Sequence, residues 1–204
     1  MHKKLLNKYF KENKVTDKIP SAQALAQFMM RMAAKPDVEN ELLDFADDVV
    51  KERAPERIEE AASSKEEIAN ATTPAEIITL MRRGVDIINR RVLVAKAMTM
   101  EAEVVPEVVR RLKTNLNTVF IEVASQLLAR STIDVSEDLI GYFDEMRSPY
   151  AQSIVLVLLG FKADEKHIPW LIDRHHMLKK LYPRENYYQG AFYALLEMEG
   201  RFYL

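Results

Sequence analysis

Two sets of residues in this chain have types and spacing that could do chemistry. Asp173 and His176 lie three apart, so a helix would place them on one face as two candidate metal ligands. A stable metal site needs more ligands, and the sequence has no second such pair and no His-Glu-x-x-His motif. The second set is cationic: Arg82, Arg83, Arg110, Arg111, Lys113 and Arg174. Aligned cations could bind phosphates, or carboxylates of a protein partner. No glycine-rich phosphate cradle, Gly-Lys-Ser/Thr or nucleophile elbow accompanies them. The expectation is therefore a non-catalytic chain without cofactor or metal.

The elements that must position these residues announce themselves by repetition. A hydrophobic doublet recurs as Ile77-Ile78, Val108-Val109, Leu139-Ile140 and Leu171-Ile172. Four residues after each first member stand Met81, Leu112, Phe143 and then His175. A period in this range marks stacked helical hairpins. Trailing helices are expected at about 74–83, 105–114, 135–146 and 168–180, and leading helices at about 85–99, 117–130, 149–160 and 186–199.

The leading helices align as well. Phe120, Val123, Ala124, Leu127 and Leu128 match Ala151, Ile154, Val155, Leu158 and Leu159, and then Tyr188, Ala191, Phe192, Leu195 and Leu196. The last set follows a longer turn around Lys179–Arg184. Glu103, Asp134 and Asp164 are expected to cap the trailing helices, with Pro74, Pro106 and Pro169 in their first turns. Thr73-Pro74-Ala75-Glu76 reads as a capping box, and so does Ser64-Lys65-Glu66-Glu67. Before the repeats, one helix is expected to bury Leu25, Phe28, Met29 and Met32, and the next Val38, Leu42, Phe45, Ala46 and Val49.

These motifs resemble HEAT repeats, in particular the short bacterial class of phycobilisome-lyase-type proteins. The closest stretch runs from Ser148-Pro149-Tyr150-Ala151 through Leu158-Leu159-Gly160 and Asp164 to Ile168-Pro169-Trp170-Leu171-Ile172. Ala151–Ser153 lacks the arginine-containing opening common in that class. The resemblance covers about 72–199. It implies an all-α, right-handed α-α superhelix that works chiefly as a protein-binding scaffold, with trailing helices lining the concave face. Minority members act on DNA bases, which makes nucleic-acid binding or base excision the alternative. On this reading residues 1–71 are degenerate repeats or a cap, and 72–204 are repeats closed by an aromatic-rich C-terminal cap, together one continuous domain.

In repeat register, one series reads Leu80, Arg111, Tyr142, Arg174 and another Arg82, Lys113, Asp144, His176. That basic stripe is interrupted by Asp144, Glu145 and Asp173, which suits a protein or acidic peptide better than a polyphosphate. The expected partner-binding residues are Arg83, Arg110, Arg111, Tyr142, Trp170 and Arg174. Trp170, the sole tryptophan, replaces the acidic residues Glu76, Glu107 and Asp138 of its register. It is expected either under the final helix or as an exposed anchor. His175, in the slot that Met81, Leu112 and Phe143 fill, is expected to be half-buried and hydrogen-bonded rather than a ligand.

Net charge is −2, unevenly spread: residues 36–80 carry thirteen acids against four bases, and residues 1–35 eight bases against two acids. The basic segment is expected to pack beside the acidic one or to lie solvated. The absence of cysteine rules out disulfides and thiolate sites. No apolar run approaches the roughly 20 residues of a membrane span. The expected location is the cytoplasm, with no membrane partner, and the apolar end Arg201-Phe202-Tyr203-Leu204 offers either docking back or a homodimer contact.

Overall fold

The computed structural model describes residues 1–15, 19–85 and 87–204. Within its helices the side chains of Phe45, Ala46, Asp47, Val49, Val50, Glu59, Glu60, Ile87 and Ile88 are outside the description. The described residues form an all-helical protein with no strand. The helices are α1 (His2–Glu12), α2 (Ala22–Ala33), α3 (Pro36–Arg53), α4 (Pro55–Asn70), α5 (Pro74–Arg83), α6 (Ile87–Met98), α7 (Glu101–Leu112), α8 (Thr118–Arg130), α9 (Ser136–Gly141), α10 (Pro149–Lys162), α11 (Ile168–Leu181) and α12 (Gln189–Phe202). Short 3-10 turns follow α9 at Phe143–Glu145 and precede α11 at Glu165–His167. No helix is long and apolar enough to cross a membrane, among the described residues.

The chain forms two compact units. One holds Met1–Phe28, Lys113–Leu116 and Asp134–Leu204; the other holds Met29–Leu112 and Asn117–Ile133. In the second unit α5 packs on α6, α7 and α8, and α6 also packs on α7 and α8. Trailing helix thus touches trailing helix, and leading touches leading. The doublet members Ile77, Ile78, Val108 and Val109 are buried, with Met81 and Leu112 beneath them. In the first unit α12 packs along α10 and α11, and α1 lies against both α11 and α12. Leu139, Phe143, Leu171 and His175 are buried there, while Ile140 and Ile172 are half-buried.

Local signals explain several boundaries. The Thr73 hydroxyl accepts the Glu76 amide (3.3 Å) while the Glu76 carboxylate accepts the Thr73 amide (2.9 Å), a complete capping box with Pro74 at the first position. Gly84, at φ +83°, closes α5 in a backbone region that disfavours other residues. Asn117 and Ser148 accept the amides of Phe120 and Ala151 and open α8 and α10. Thr73→Ala removes the hydroxyl half of the α5 box and is expected to cost about 1 kcal/mol in urea unfolding. An unchanged midpoint would show that Pro74 and the Glu76 carboxylate hold the helix start without it.

Other expectations fail for identifiable reasons. The Ser64 box does not start a helix: α4 runs unbroken from Pro55 to Asn70, because no glycine or proline interrupts it and Ala61 and Ile68, two turns apart, share its buried face. The helix expected from 105 begins at Glu101, so Pro106 lies inside α7 and Glu103 in its first turn. Pro106 is tolerated because it and Ala102, whose carbonyl loses its amide partner, are both exposed to water. The helix expected over 135–146 ends at Gly141, and only a 3-10 turn follows. α12 starts at Gln189 rather than 186 and leaves Leu196 exposed, so the third leading set is only partly buried.

The largest departures are in α2 and α3. Leu25 and Phe28 are 55% and 48% exposed, whereas Gln23, Gln27, Met30 and Ala33 are buried. Hydrogen bonds decide that orientation: the Gln27 amide donates to the Tyr193 carbonyl (3.1 Å) and the Glu197 carboxylate (3.2 Å). Met29 and Met32 are half-buried. In α3, Val38 and Leu42 face water; the expected burial of Phe45, Ala46 and Val49 lies outside the described residues.

Candidate functional site: the α9–α11 edge

Arg174 and Trp170 lie one turn apart on α11, so their side chains meet. The guanidinium sits over the indole at 5.4 Å and donates to the Asp144 carboxylate (2.7 Å). Beneath them Phe143 meets Trp170 edge-on, with ring centroids 5.2 Å apart. Trp170 therefore packs on the turn after α9, and it is half-buried rather than fully exposed. Tyr142, the residue before Phe143, is also half-buried; burial raises its hydroxyl pKa above the ordinary value, aided by Asp138. Nearby, Lys113 pairs with Glu145, and Lys166 and His167 with Glu137.

The other expected contact residues belong to the second unit. Arg110 and Arg111 converge on one carboxylate, Glu107, at 2.7 and 2.5 Å. Those two guanidinium groups hold Glu107 down to about 2. Arg83 pairs with Glu67 of α4. Arg83 and Arg110 are exposed and Arg111 is half-buried. The geometry thus joins Trp170 with Arg174, and Arg110 with Arg111, each cation already facing an acid.

Behind the α11 edge lies a buried polar cluster. A hydrogen bond of 2.7 Å joins the Tyr9 hydroxyl of α1 to His175 Nδ1. His175 is 1% exposed, and its Nε2 is buried without a hydrogen-bond partner. Burial, with the neighbouring cations His176 and Lys179, lowers the imidazole to about 4; the Tyr188 carbonyl opposes the shift. Burial, then Tyr188, pushes the Tyr9 hydroxyl above its ordinary value. Phe10 meets Tyr9 edge-on and Tyr188 meets His175 edge-on, while Phe192 lies tilted against Tyr9. The aromatic C-terminal set is thus covered by the N-terminal helix, which the spacing of neither segment signals.

Asp173 and His176 are both exposed, and no cluster of three or more metal-ligating side chains forms among the described residues. The C-terminus docks through polar groups. Arg201 donates to the carbonyls of Gly160 (2.6 Å) and Ala163 (3.1 Å) at the end of α10, and the Tyr203 hydroxyl to Glu165 (2.7 Å). α1 keeps Lys4, Lys8 and Lys11 exposed along an open groove that also includes Glu199. The chain matches no family model, no curated protein and no solved structure.

Proposed function

We propose that this chain is a non-catalytic protein-interaction scaffold, a HEAT-like stack of helix pairs whose partner docks on the trailing-helix side at α11. One observation carries the reading: Trp170 is half-exposed and already fixed, by Phe143 on one side and by the Asp144-tethered Arg174 on another. Tryptophan and arginine are favoured binding anchors, and side chains ordered beforehand lose less entropy on association. The layered contacts of α5 with α7 and of α6 with α8 support the stacked architecture.

Nucleic acid is the second reading, and the charge arrangement disfavours it. Arg83, Arg110, Arg111, Lys113 and Arg174 all face carboxylates of the same protein. A phosphate backbone would have to displace those acids, and the net gain per cation shrinks accordingly. A protein surface of mixed sign can instead interleave with them.

The test places a photo-crosslinking residue at His176, exposed and six residues along α11 from Trp170, and a control at exposed Gly200 of α12. Discrete protein adducts are expected at 176 and not at 200, and are lost in Trp170→Ala. Duplex and single-stranded DNA are titrated at low and moderate salt. Micromolar or tighter DNA binding that weakens steeply with salt would overturn the scaffold reading.

A further inference from the structure

Among the described side chains of α3, the one that is fully buried is polar. Glu39 is buried at 3% exposure, where Arg91 and Arg130 oppose the rise in its pKa that burial causes. Arg91 of α6 donates to the Asn40 carbonyl (3.1 Å) and the Asp44 carboxylate (2.8 Å). A glutamate thus points inward while aliphatic residues point out. Val38 and Leu42, one turn apart, are 47% and 44% exposed. Beside them Asp37, Glu41, Asp44 and Asp48 recur at spacings of four, three and four, which places them on a single exposed stripe.

We propose that α3 is a docking surface for a cationic amphipathic helix of a partner protein. The apolar stripe supplies burial and the acidic stripe supplies charge complementarity over about 17 Å, roughly three helical turns. The partner helix lays aliphatic residues over Val38 and Leu42 and sets Lys or Arg against Asp37 and Glu41, and against Asp44 and Asp48 beside their own partners Arg91 and Lys51. The surrounding sequence reinforces the sign, since residues 36–80 carry thirteen acids against four bases. The same charge repels nucleic acid and anionic membrane, so neither competes for this face.

The probe is a synthetic helical peptide of about 18 residues, leucine and lysine in amphipathic order, titrated into the full chain. A scrambled peptide of identical composition is the control. The ordered peptide is expected to bind and to protect the amides of residues 36–53 from hydrogen exchange. Val38→Ser with Leu42→Ser is expected to weaken binding at least about tenfold through lost burial. Glu41→Lys with Asp48→Lys is expected to weaken it at least about tenfold at low salt and to flatten its salt dependence. These positions are exposed, so circular dichroism should be unchanged; should a variant unfold, the exchange map on the wild type decides.

Equal binding of the scrambled peptide, unchanged affinity in both double variants, or protection confined to other helices would each overturn the proposal. So would concentration-dependent self-association of the chain that both double variants abolish, because a second copy would then be the occupant.

Discussion

Gly190→Ala is expected to lower stability by about 3 kcal/mol, a methyl group having no room where α12 crosses α10. A Cβ built at Gly190 would sit 2.1 Å from the Ser153 carbonyl oxygen, and one at Gly160 would sit 2.7 Å from the Ala194 Cα. Both obstacles are backbone, so relief requires the helices to separate. Ser153 meets Gly190 and Gly160 meets Ala194, so the two helices run in the same sense, in contact at both glycines. Separation would also stretch the bond from the Ser153 hydroxyl to the Tyr187 carbonyl (2.7 Å) and loosen Ile154, Val157 and Leu195, all fully buried. In a chain of this size the expected loss appears as a melting temperature lower by roughly 10 °C. Gly160→Ala should behave alike. Gly200, in the same helix but with nothing within 4 Å of a Cβ, is the control: Gly200→Ala is expected to stabilise by about 0.5–1 kcal/mol through helix propensity. A Gly190→Ala melting temperature within about 2 °C of wild type would show that α10 and α12 can move apart freely.

The glycines show what the sequence could and could not yield. A glycine inside a helical pattern points to close backbone approach, and Gly160 and Gly190 both interrupt apolar runs. The partner helix and the contact atoms are tertiary facts that no spacing encodes. The doublets and the Thr73 box were legible because period and cap chemistry act within a few residues. α2 and α3 misled for the opposite reason. Their apolar periodicity is real, yet Gln27 bonds to residues 166 and 170 positions away, and Arg91 reaches α3 from α6. Specific long-range hydrogen bonds there outweigh the pattern and turn Leu25, Phe28, Val38 and Leu42 toward water.

At the candidate site, the break in register at Trp170 and Arg174 was readable from the repeat alone. Their fixation was not, because it depends on Phe143 and Asp144, one repeat earlier, and on a turn where a full helix was expected. The basic stripe was legible as a row of cations, but its neutralisation was only half so. Glu107 lies within four residues of Arg110 and Arg111, a pairing that helical spacing predicts. Glu67 reaches Arg83 from a separate helix. The repeat slot signals a half-buried, hydrogen-bonded His175, whereas its full burial depends on Tyr9, 166 residues away.

That pairing makes the protein acid-sensitive in a defined window. With His175 held near 4 in the folded protein, and about 6.5 in an unfolded chain, the unfolded state binds more protons between those values. Stability is therefore full above about pH 6.5, falls as pH drops through the window, and has lost its whole His175 contribution below about pH 4. At about 1.36 kcal/mol per unit, the loss comes to somewhat more than 3 kcal/mol. The physical cost is explicit. Protonation makes Nδ1 a donor, so Tyr9 must turn its hydroxyl to accept, and the added charge lies buried away from water. His176 and Lys179 add like-charge repulsion from the same helix. Glu39, whose pKa burial raises, works in the opposite direction and stabilises in acid, so only a difference between variants isolates the histidine. Tyr9→Phe with His175→Leu restores the apolar slot of the other repeats and removes both polar groups together. Between pH 6.5 and 4.5 the unfolding free energy of the wild type, from urea titrations, is expected to fall more steeply than that of the double variant, by up to about 1.4 kcal/mol per pH unit. Parallel curves would show that His175 titrates normally and that its burial does not govern the attachment of α1 to α11.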